Sequence, residues 1–403
     1  MPWKERKALE ERRGFIGEWQ RQEESLAELC RRYEISRPTG YKLIERFEAE
    51  GEEGVAERSR APHHRPQTMG DEIAERIVAL RREHPRWGPR KLRAYLRGRE
   101  PGKQWPAASS IGELLGREGL TVPRRKRRHT PLYSQPLAHA GAPNQVWCTD
   151  FKGWFLCGNG ERCDPLTISD AFSRYVHRCR SVEKTDGPHV RAVFEAVFRE
   201  YGLPEAIRSD NGPPFASRAP AGLSPLGMWW LRLGIRHERI EPGCPEQNGR
   251  HERMHQTLKQ ETANPPAANL RQQQEAFRRF EREYNEQRPH EALENRTPAS
   301  VYRSSERVYP ARLPDLEYPA GVGLRRISHK GDLKWKGQRT FVSEVFAGEN
   351  VGLLEIDDDL FEVYYGPVLL GWFEGSEHVF EADRGPRRRT ERRACATEGE
   401  ASL

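Results

Sequence analysis

The spacing of apolar residues changes period at Pro143, and that change divides the chain into parts that cannot share one architecture. Before it, apolar residues recur at helical spacing. Leu26, Leu29 and Cys30 follow a Ser25–Glu28 capping box, Ser36 caps a second helix carrying Ile44 and Phe47, and Ile73, Ile77 and Leu80 mark one face of another. After it, Gln145 to Leu156, Leu166 to Ser169 and Tyr175 to Val182 read as strands rich in aromatic and β-branched residues. An amphipathic helix over 188–201 follows, and a short strand at 206–209 runs into Asp210-Asn211-Gly212. With 403 residues, 35% hydrophobic content and 30 prolines, several modest domains joined by polar linkers fit better than one large core.

Two short helices joined by a turn at Tyr33-Glu34-Ile35 outline a helix-turn-helix, although a plain helical hairpin has the same outline. In the former, Arg37, Thr39 and Lys42 lie on the first turns of the second helix, where side chains reach base edges or phosphates. Helical spacing returns after the basic, turn-rich stretch 59–68. Residues 71–83 form one helix, Trp87-Gly88-Pro89 breaks it, residues 90–97 resume, and Ser110 with Glu113 caps a third. This describes a second small helical DNA-binding unit.

A net charge of +7 and a pI near 9.0 favour a polyanionic partner only weakly. Placement says more, because Arg124, Arg125, Lys126, Arg127 and Arg128 form an unbroken basic block and Arg384, Arg387 to Arg389, Arg392 and Arg393 form a second. Seven cysteines without a CxxC pair, and no apolar run near the ~20 residues that span a bilayer, predict a reduced cytoplasmic protein without disulfides or a membrane partner.

Gly243 to Lys259, GCPEQNGRHERMHQTLK, supports two chemistries. His251-Glu252-Arg253-Met254-His255 has the HExxH spacing of a zinc-protease helix, with His290 as the available third ligand. Alternatively, Glu252 is a carboxylate on the first turn of a helix, to be combined with others elsewhere. Two aspartates qualify. Asp150 stands in an otherwise apolar strand, where an unpaired carboxylate is costly, and Asp210 ends a buried strand. Either also has a structural explanation, as a paired carboxylate or a turn residue.

Residues 143 to 303 resemble the catalytic domain of the DDE transposase and integrase superfamily. The segments that carry the resemblance are Trp147-Cys148-Thr149-Asp150, Ile207-Arg208-Ser209-Asp210-Asn211-Gly212, Pro245-Glu246-Gln247-Asn248-Gly249-Arg250-His251-Glu252 and Tyr284-Asn285-Glu286-Gln287-Arg288-Pro289-His290-Glu291-Ala292-Leu293. GVAERSRAPHHRP, WGPRKLRAYL and a C-terminal β domain extend it to an insertion-sequence branch of that superfamily.

The resemblance implies a multidomain protein with α-helical helix-turn-helix domains, an α/β RNase H-like integrase core on a mixed sheet, and a C-terminal SH3-like β-barrel. The expected divisions are a helix-turn-helix domain at 1–58, a linker at 59–70, a second helical domain at 71–122 and a basic linker at 123–142. The core with its helical extension then occupies 143–305, the barrel 318–380 and a basic tail 381–403. A further helix is expected over 264–287, with PHEAL at 289–293 packing onto the core.

By the same resemblance Asp150, Asp210 and Glu252 are the acidic triad, catalytic and metal-ligating, with Glu246 the rival for the third place. Clustered carboxylates raise one another's pKa unless cations fill the space between them, and two Mg²⁺ (or Mn²⁺) ions suit such all-oxygen ligands. Lys259, on the same helix as Glu252, is expected to face DNA. The implied partners are transposon-end repeats and target DNA in the bacterial nucleoid, with a homo-oligomer assembled on them.

Forty-one residues lie between Asp210 and Glu252, more than is usual in the superfamily, and the surplus is expected in a loop at 217–228. A DNA-binding regulator that has lost activity is the alternative, and a zinc protease a remote one. In the transposase reading, His251 and His255 become helix-surface residues near the DNA.

Overall fold

The computed structural model describes residues 8–56, 69–121, 140–240 and 249–383. Both basic blocks and the loop carrying Glu246 lie outside the described residues. The chain divides into two compact units, residues 1–70 and 71–403.

The first unit is helical: α1 (Ala8–Arg21), α2 (Leu26–Arg32), α3 (Arg37–Glu50) and α4 (Glu52–Val55). The capping box forms, with the Ser25 N–H donating to Glu28 Oε2 at 3.3 Å and the Glu28 N–H to Ser25 Oγ at 3.4 Å. Ser36 caps α3 by accepting from the Thr39 N–H. Phe15, Leu29, Cys30, Leu43, Ile44 and Val55 close the interior. Gly40 lets α3 approach its neighbours, since a Cβ there would lie 2.6 Å from Cys30 Sγ and 3.2 Å from Phe15.

The second unit starts with α5 (Asp71–Glu83), α6 (Pro89–Arg99) and α7 (Ala108–Arg117), which bury Ile77, Leu80, Leu92, Leu96 and Ile111. Ser110 does not cap α7, contrary to expectation. The helix begins three residues earlier, after Ala107, so that Ile111, Leu114 and Leu115 face inward together. Buried Trp87 stacks on His84 with ring centroids 3.8 Å apart, and His84 Nδ1 meets Glu283 Oε1 at 2.8 Å.

Next comes a six-stranded mixed sheet of β1 (Val146–Phe151), β2 (Phe155–Leu156), β3 (Arg162–Asp170), β4 (Val176–Val182), β5 (Ala206–Ser209) and β6 (Arg236–Arg239). β3 pairs antiparallel with β1, β2 and β4, whereas β1, β5 and β6 run parallel. The strand expected over 145–156 is interrupted at Gly153, whose φ of +83° breaks the extended backbone.

Helices cover both faces of the sheet. α8 (Gly187–Tyr201) and α9 (Pro225–Arg232) bury Phe194, Phe198, Trp229 and Trp230 with Trp147, Leu166 and Ile168. On the other face, α10 (Gly249–Thr262) and α11 (Leu270–Arg282) bring Met254, Leu258, Phe277 and Phe280 against Cys163, Val176 and Cys179.

Two expectations are corrected here. Residues 217–228 are not all loop, because Ser224 caps α9, Pro225 opens it and two buried tryptophans anchor it. The helix expected from 264 starts at Leu270, since Pro265 and Pro266 cannot continue α10 and Asn269 supplies the new cap. It runs on through a π-helical turn at Glu283–Gln287.

After α12 (Pro298–Val301), the strands β7 (Gly323–Arg326), β8 (Asp332–Trp335), β9 (Gln338–Phe341), β10 (Asn350–Asp357), β11 (Leu360–Tyr365), β12 (Val368–Glu374) and β13 (Val379–Ala382) follow. They make a five-stranded antiparallel sheet, β13-β12-β11-β10-β7, and a β8–β9 ribbon joined to its β13 end by Thr340 Oγ1 donating to the His378 carbonyl at 3.0 Å. Leu223 and Met228 join its core. The five described cysteines that stand free, Cys30, Cys148, Cys157, Cys163 and Cys179, are all buried, and no described helix is long and apolar enough to cross a membrane.

Gly40→Ala is expected to lower the thermal midpoint. Helix propensity alone favours alanine by about 1 kcal/mol, but overpacking costs about 1–3 kcal/mol. A raised midpoint would show that α3 has room to move.

Candidate active site

The site begins with two parallel strands. β1 and β5 run side by side with Val146 opposite Ala206 and Cys148 opposite Arg208. Carrying that register on by two residues sets Asp210 beside Asp150 at the carboxyl ends of both strands. The two aspartates are thus neighbours by topology, although they lie sixty positions apart in sequence. The Asp210 carboxylate accepts the Gly212 N–H at 3.2 Å, and the Asn211 amide donates to the Ile240 carbonyl at 2.7 Å, which fixes the turn.

The third carboxylate comes from the opposite face. Glu252 lies in the first turn of α10 and is exposed, whereas its neighbour His251 and His255, one turn on, are 1% and 5% exposed. Both histidines reach β3. Thr167 Oγ1 stands 2.7 Å from His251 Nε2 and 2.6 Å from His255 Nε2, and Ser169 Oγ is 2.9 Å from His251 Nδ1. Thr167 is also the residue directly opposite Asp150 in the β1–β3 ladder, and its hydroxyl donates to the Asp150 carbonyl at 3.0 Å.

A hydroxyl has one proton and two lone pairs, so with its proton on Asp150 both imidazoles must donate through Nε2. Burial supports this, holding His251 down to about 3 and His255 down to about 2, so both are neutral at pH 7. These histidines are not the helix-surface residues expected. Their alternation with Glu252 along α10 faces them to the polar side of β3 and leaves Glu252 on the accessible side.

The same contacts weigh against a zinc-protease helix, because each Nε2 is taken by Thr167. Among the described residues, no three His, Cys, Asp or Glu side chains stand close enough together to hold a metal ion. Asp150 does feel the other two carboxylates. Asp150 is pushed up to about 7, first by burial, then by Asp210 and, more weakly, by Glu252, with His255 Nδ1 3.9 Å from its Oδ2.

Asp170 provides the contrast. It is also buried in this sheet, but its carboxylate accepts from the Asn144 N–H, the Ser173 N–H and the Ser173 hydroxyl at 2.6–2.7 Å. It is a turn anchor. Asp150 has no comparable set of donors and faces charges of its own sign.

Cations flank the carboxylates. Lys152, two residues beyond Asp150, has its ammonium pushed down by burial and by Lys259, which brings the Lys259 charge close to the site. Lys259 is exposed on α10. In the other unit, Arg37, Thr39 and Lys42 are exposed on the first turns of α3, with Thr39 Oγ1 2.8 Å from Ser36 Oγ. Tyr41, 62% exposed between them, was missed by the sequence reading. Arg124 to Arg128 lie outside the described residues. Thr167 and Ser169 were missed as well, and their signal was the apolar–polar alternation of Leu166-Thr167-Ile168-Ser169, which marks one polar strand face.

Residues 140–245 and 233–298 match models described as integrase core domains, 11–63 a helix-turn-helix domain and 39–115 a homeodomain-like domain. A 31.7 kDa protein of insertion element IS407 from Burkholderia multivorans is 31% identical over 237 residues, covering 58% of this chain and 82% of its own. A 39.2 kDa protein of insertion element IS476 from Xanthomonas euvesicatoria is 30% identical over 253 residues, covering 62% and 69%. Among solved structures, the HTLV-2 integrase catalytic core domain in complex with magnesium is 18% identical, with a TM-score of 0.32, covering 40% of this chain and 99% of its own. These matches define an integrase/transposase-type polynucleotidyl transferase family. The chain belongs to the DDE transposase and integrase superfamily, among the proteins of insertion elements.

Two outcomes follow from the site. Thr167→Val leaves two buried imidazole N–H groups without an acceptor and is expected to cost about 2–4 kcal/mol in chemical denaturation; a loss below ~1 kcal/mol would mean that the histidines find other partners. Asp150 is raised in the fold from its ordinary 3.8 to about 7, so it contributes stability below pH 4 that is lost as pH rises through 7. Asp150→Asn is therefore expected to stabilise the metal-free protein progressively from pH 4 to 8, by a few kcal/mol at most. A pH-independent difference between the two proteins would remove the repulsion argument.

Proposed function

We propose that this chain is the transposase of an insertion sequence, binding the ends of its element and catalysing strand cleavage followed by transfer of the freed 3′-hydroxyl into target DNA. The observation that carries the reading is the β1–β5 register that sets Asp210 beside Asp150, with Glu252 of α10 close enough to raise the Asp150 carboxyl further. Three carboxylates and no soft donor suit hard divalent cations such as Mg²⁺ or Mn²⁺, and the charge repulsion at Asp150 is what such ions would relieve. As they stand, these side chains are not close enough together to hold an ion, so Asp150, Asp210 and Glu252 would hold two of them only by drawing together around the ions. Bound there, the ions would supply charge stabilisation to attacking and leaving oxygens of an in-line displacement at phosphorus.

The residues of the chain do the rest. Asp150 is held in β1, Asp210 by the turn that follows β5, and α10, which carries Glu252, by the His251 and His255 bonds to Thr167, which limits how far the carboxylates must move for phosphoryl transfer by positioning. In the first reaction the water O–P bond forms as the P–O3′ bond at the transposon end breaks; in the second, the freed 3′-oxygen bonds to a target phosphorus as the target's own P–O3′ bond breaks, and in each the proton lost by the nucleophile is balanced by the one taken up by the leaving 3′-oxygen. Both are displacements at phosphorus, so one set of carboxylates serves both.

Arg37, Thr39 and Lys42 are read as contacts to the element ends, Lys259 as a contact beside the reacting phosphate, and Arg124, Arg125, Lys126, Arg127 and Arg128 as phosphate contacts between modules. The C-terminal sheet is read as an SH3-like unit touching DNA or another subunit, and joining two ends to one target implies a homo-oligomer on the DNA.

With terminal DNA of its element and Mg²⁺, the protein is expected to nick at the ends. Glu252→Gln should bind equally but cleave at least about a hundredfold more slowly. Specific binding by both proteins with cleavage by neither would support instead a DNA-binding regulator.

A further inference from the structure

A cleft of about 1110 Å³ opens between the α5–α7 helices and the integrase core. Arg86, Arg90, Lys91 and Ser109 line its helical side, and Gln260 and Arg288 its core side. Its cations differ in what they already bind. Arg90 meets Glu291 at 2.8 Å and Arg288 meets Glu261 at 2.8 Å, while Arg81 donates to the carbonyls of Trp87 and Leu120. The side chains of Arg86 and Lys91 have no hydrogen-bond or ion-pair partner among the described residues. Arg86 is exposed, but Lys91 is half-buried, and an unpartnered ammonium there is costly unless an anion joins it. Burial, and then Arg288, push Lys91 down to about 8 against the opposing pull of Glu261 and Glu291.

Backbone groups add to the positive potential. The N-caps of α6 and α7 are Gly88 and Ala107, and neither helix has a side-chain cap. The first turns of both, at Gly88 to Lys91 and Ala108 to Ser109, line this one cleft. α6 opens with Pro89, which has no N–H, and its Lys91 N–H bonds the Gly88 carbonyl, so the uncapped first turn of α7 at Ala108 and Ser109 supplies most of the open N–H groups beside the free cations. Gln260 extends the cleft onto α10, eight residues and ~12 Å along the helix from Glu252.

We propose that this cleft binds the phosphodiester backbone of duplex DNA on its way to the candidate active site, with Arg86 and Lys91 each contacting a phosphate. The inference rests on the transposase reading and names a backbone site that this reading does not require. It gives the helical unit 71–121 a role through α6 and α7 helix ends that face the core.

Binding of a fluorescein-labelled, mixed-sequence duplex of about 30 base pairs to the full chain carrying Glu252→Gln, in EDTA, tests it without turnover. Fluorescence anisotropy between 50 and 200 mM salt gives both affinity and its salt dependence. Adding Lys91→Gln or Arg86→Gln is expected to weaken binding about three- to tenfold and to lower the slope of log K against log salt by about one each, and by about two together. Arg271→Gln, on the exposed face of α11 outside the cleft, should change neither. Exposed Arg86 keeps the test valid if the Lys91 variant folds poorly. An unchanged affinity and slope in the doubly substituted protein overturns the cleft and leaves the transposase reading standing. Failure of the Glu252→Gln chain itself to bind any duplex overturns both.

Discussion

One hydroxyl ties the candidate active site together. Thr167 Oγ1 bonds two imidazoles of α10 and the backbone of Asp150, so one atom links the helix that carries Glu252 to both β1 and β3, with Ser169 Oγ adding a contact to His251. The interaction is buried, and buried hydrogen bonds are expensive to leave unmade. Its geometry also sets the protonation of the histidines, since Thr167 can accept from both only while each carries hydrogen on Nε2. A charged imidazole would have to be stabilised in a site with little solvent, which burial of His251 and His255 opposes. Neutral histidines therefore hold the helix in place without adding positive charge beside the carboxylates.

The rest of the core arranges itself around that attachment. The apolar side of β3 turns to α8 and α9, where Trp147, Phe198, Trp229 and Trp230 fill the interior, leaving Thr167 and Ser169 on the side that meets α10. α11 closes the same face with Phe277 and Phe280, and its π-helical continuation supplies Glu283 to His84 of the helical unit. Polar contacts thus appear where two elements must keep a fixed register, and apolar packing fills the space between them. The helical fragment 71–121 is joined to the core by His84, just after α5, and Arg90 of α6, which pair with Glu283 and Glu291, so the cleft between them has walls that belong to one compact unit.

Much of this was legible locally. The Ser25 and Ser36 caps, the α8 helix and the β1, β3 and β5 strands each announce themselves within a dozen residues, because capping and alternation are short-range effects. α9 was not legible. Its PLGMWWLR sequence is apolar nearly all round and follows a stretch rich in glycine and proline, so no face marks it as a helix until the sheet is there to bury it. The C-terminal strands were readable one by one, but their pairing into a five-stranded path with a separate ribbon depends on contacts far apart in sequence. The site was legible as three acidic positions. What held them was not, because the partner of His251 lies 84 residues away in β3.

An HExxH pattern has two structural outcomes. Histidines four apart on a helix point the same way, so they can converge on a metal or on a polar strand face, and sequence spacing is identical in both cases. The difference lies in what occupies Nε2. A metal site needs that nitrogen as a lone pair directed into open space, whereas here it donates hydrogen to a threonine inside the protein. The same distinction separates Asp150 from Asp170. Burial raises both aspartates, but Asp170 has three donors that offset part of that cost, whereas at Asp150 the neighbouring carboxylates add to it. Burial alone does not mark a functional residue. A buried polar group left without the partners its chemistry requires does, and by that criterion Asp150 in the sheet and Lys91 in the cleft point to ligands of opposite charge.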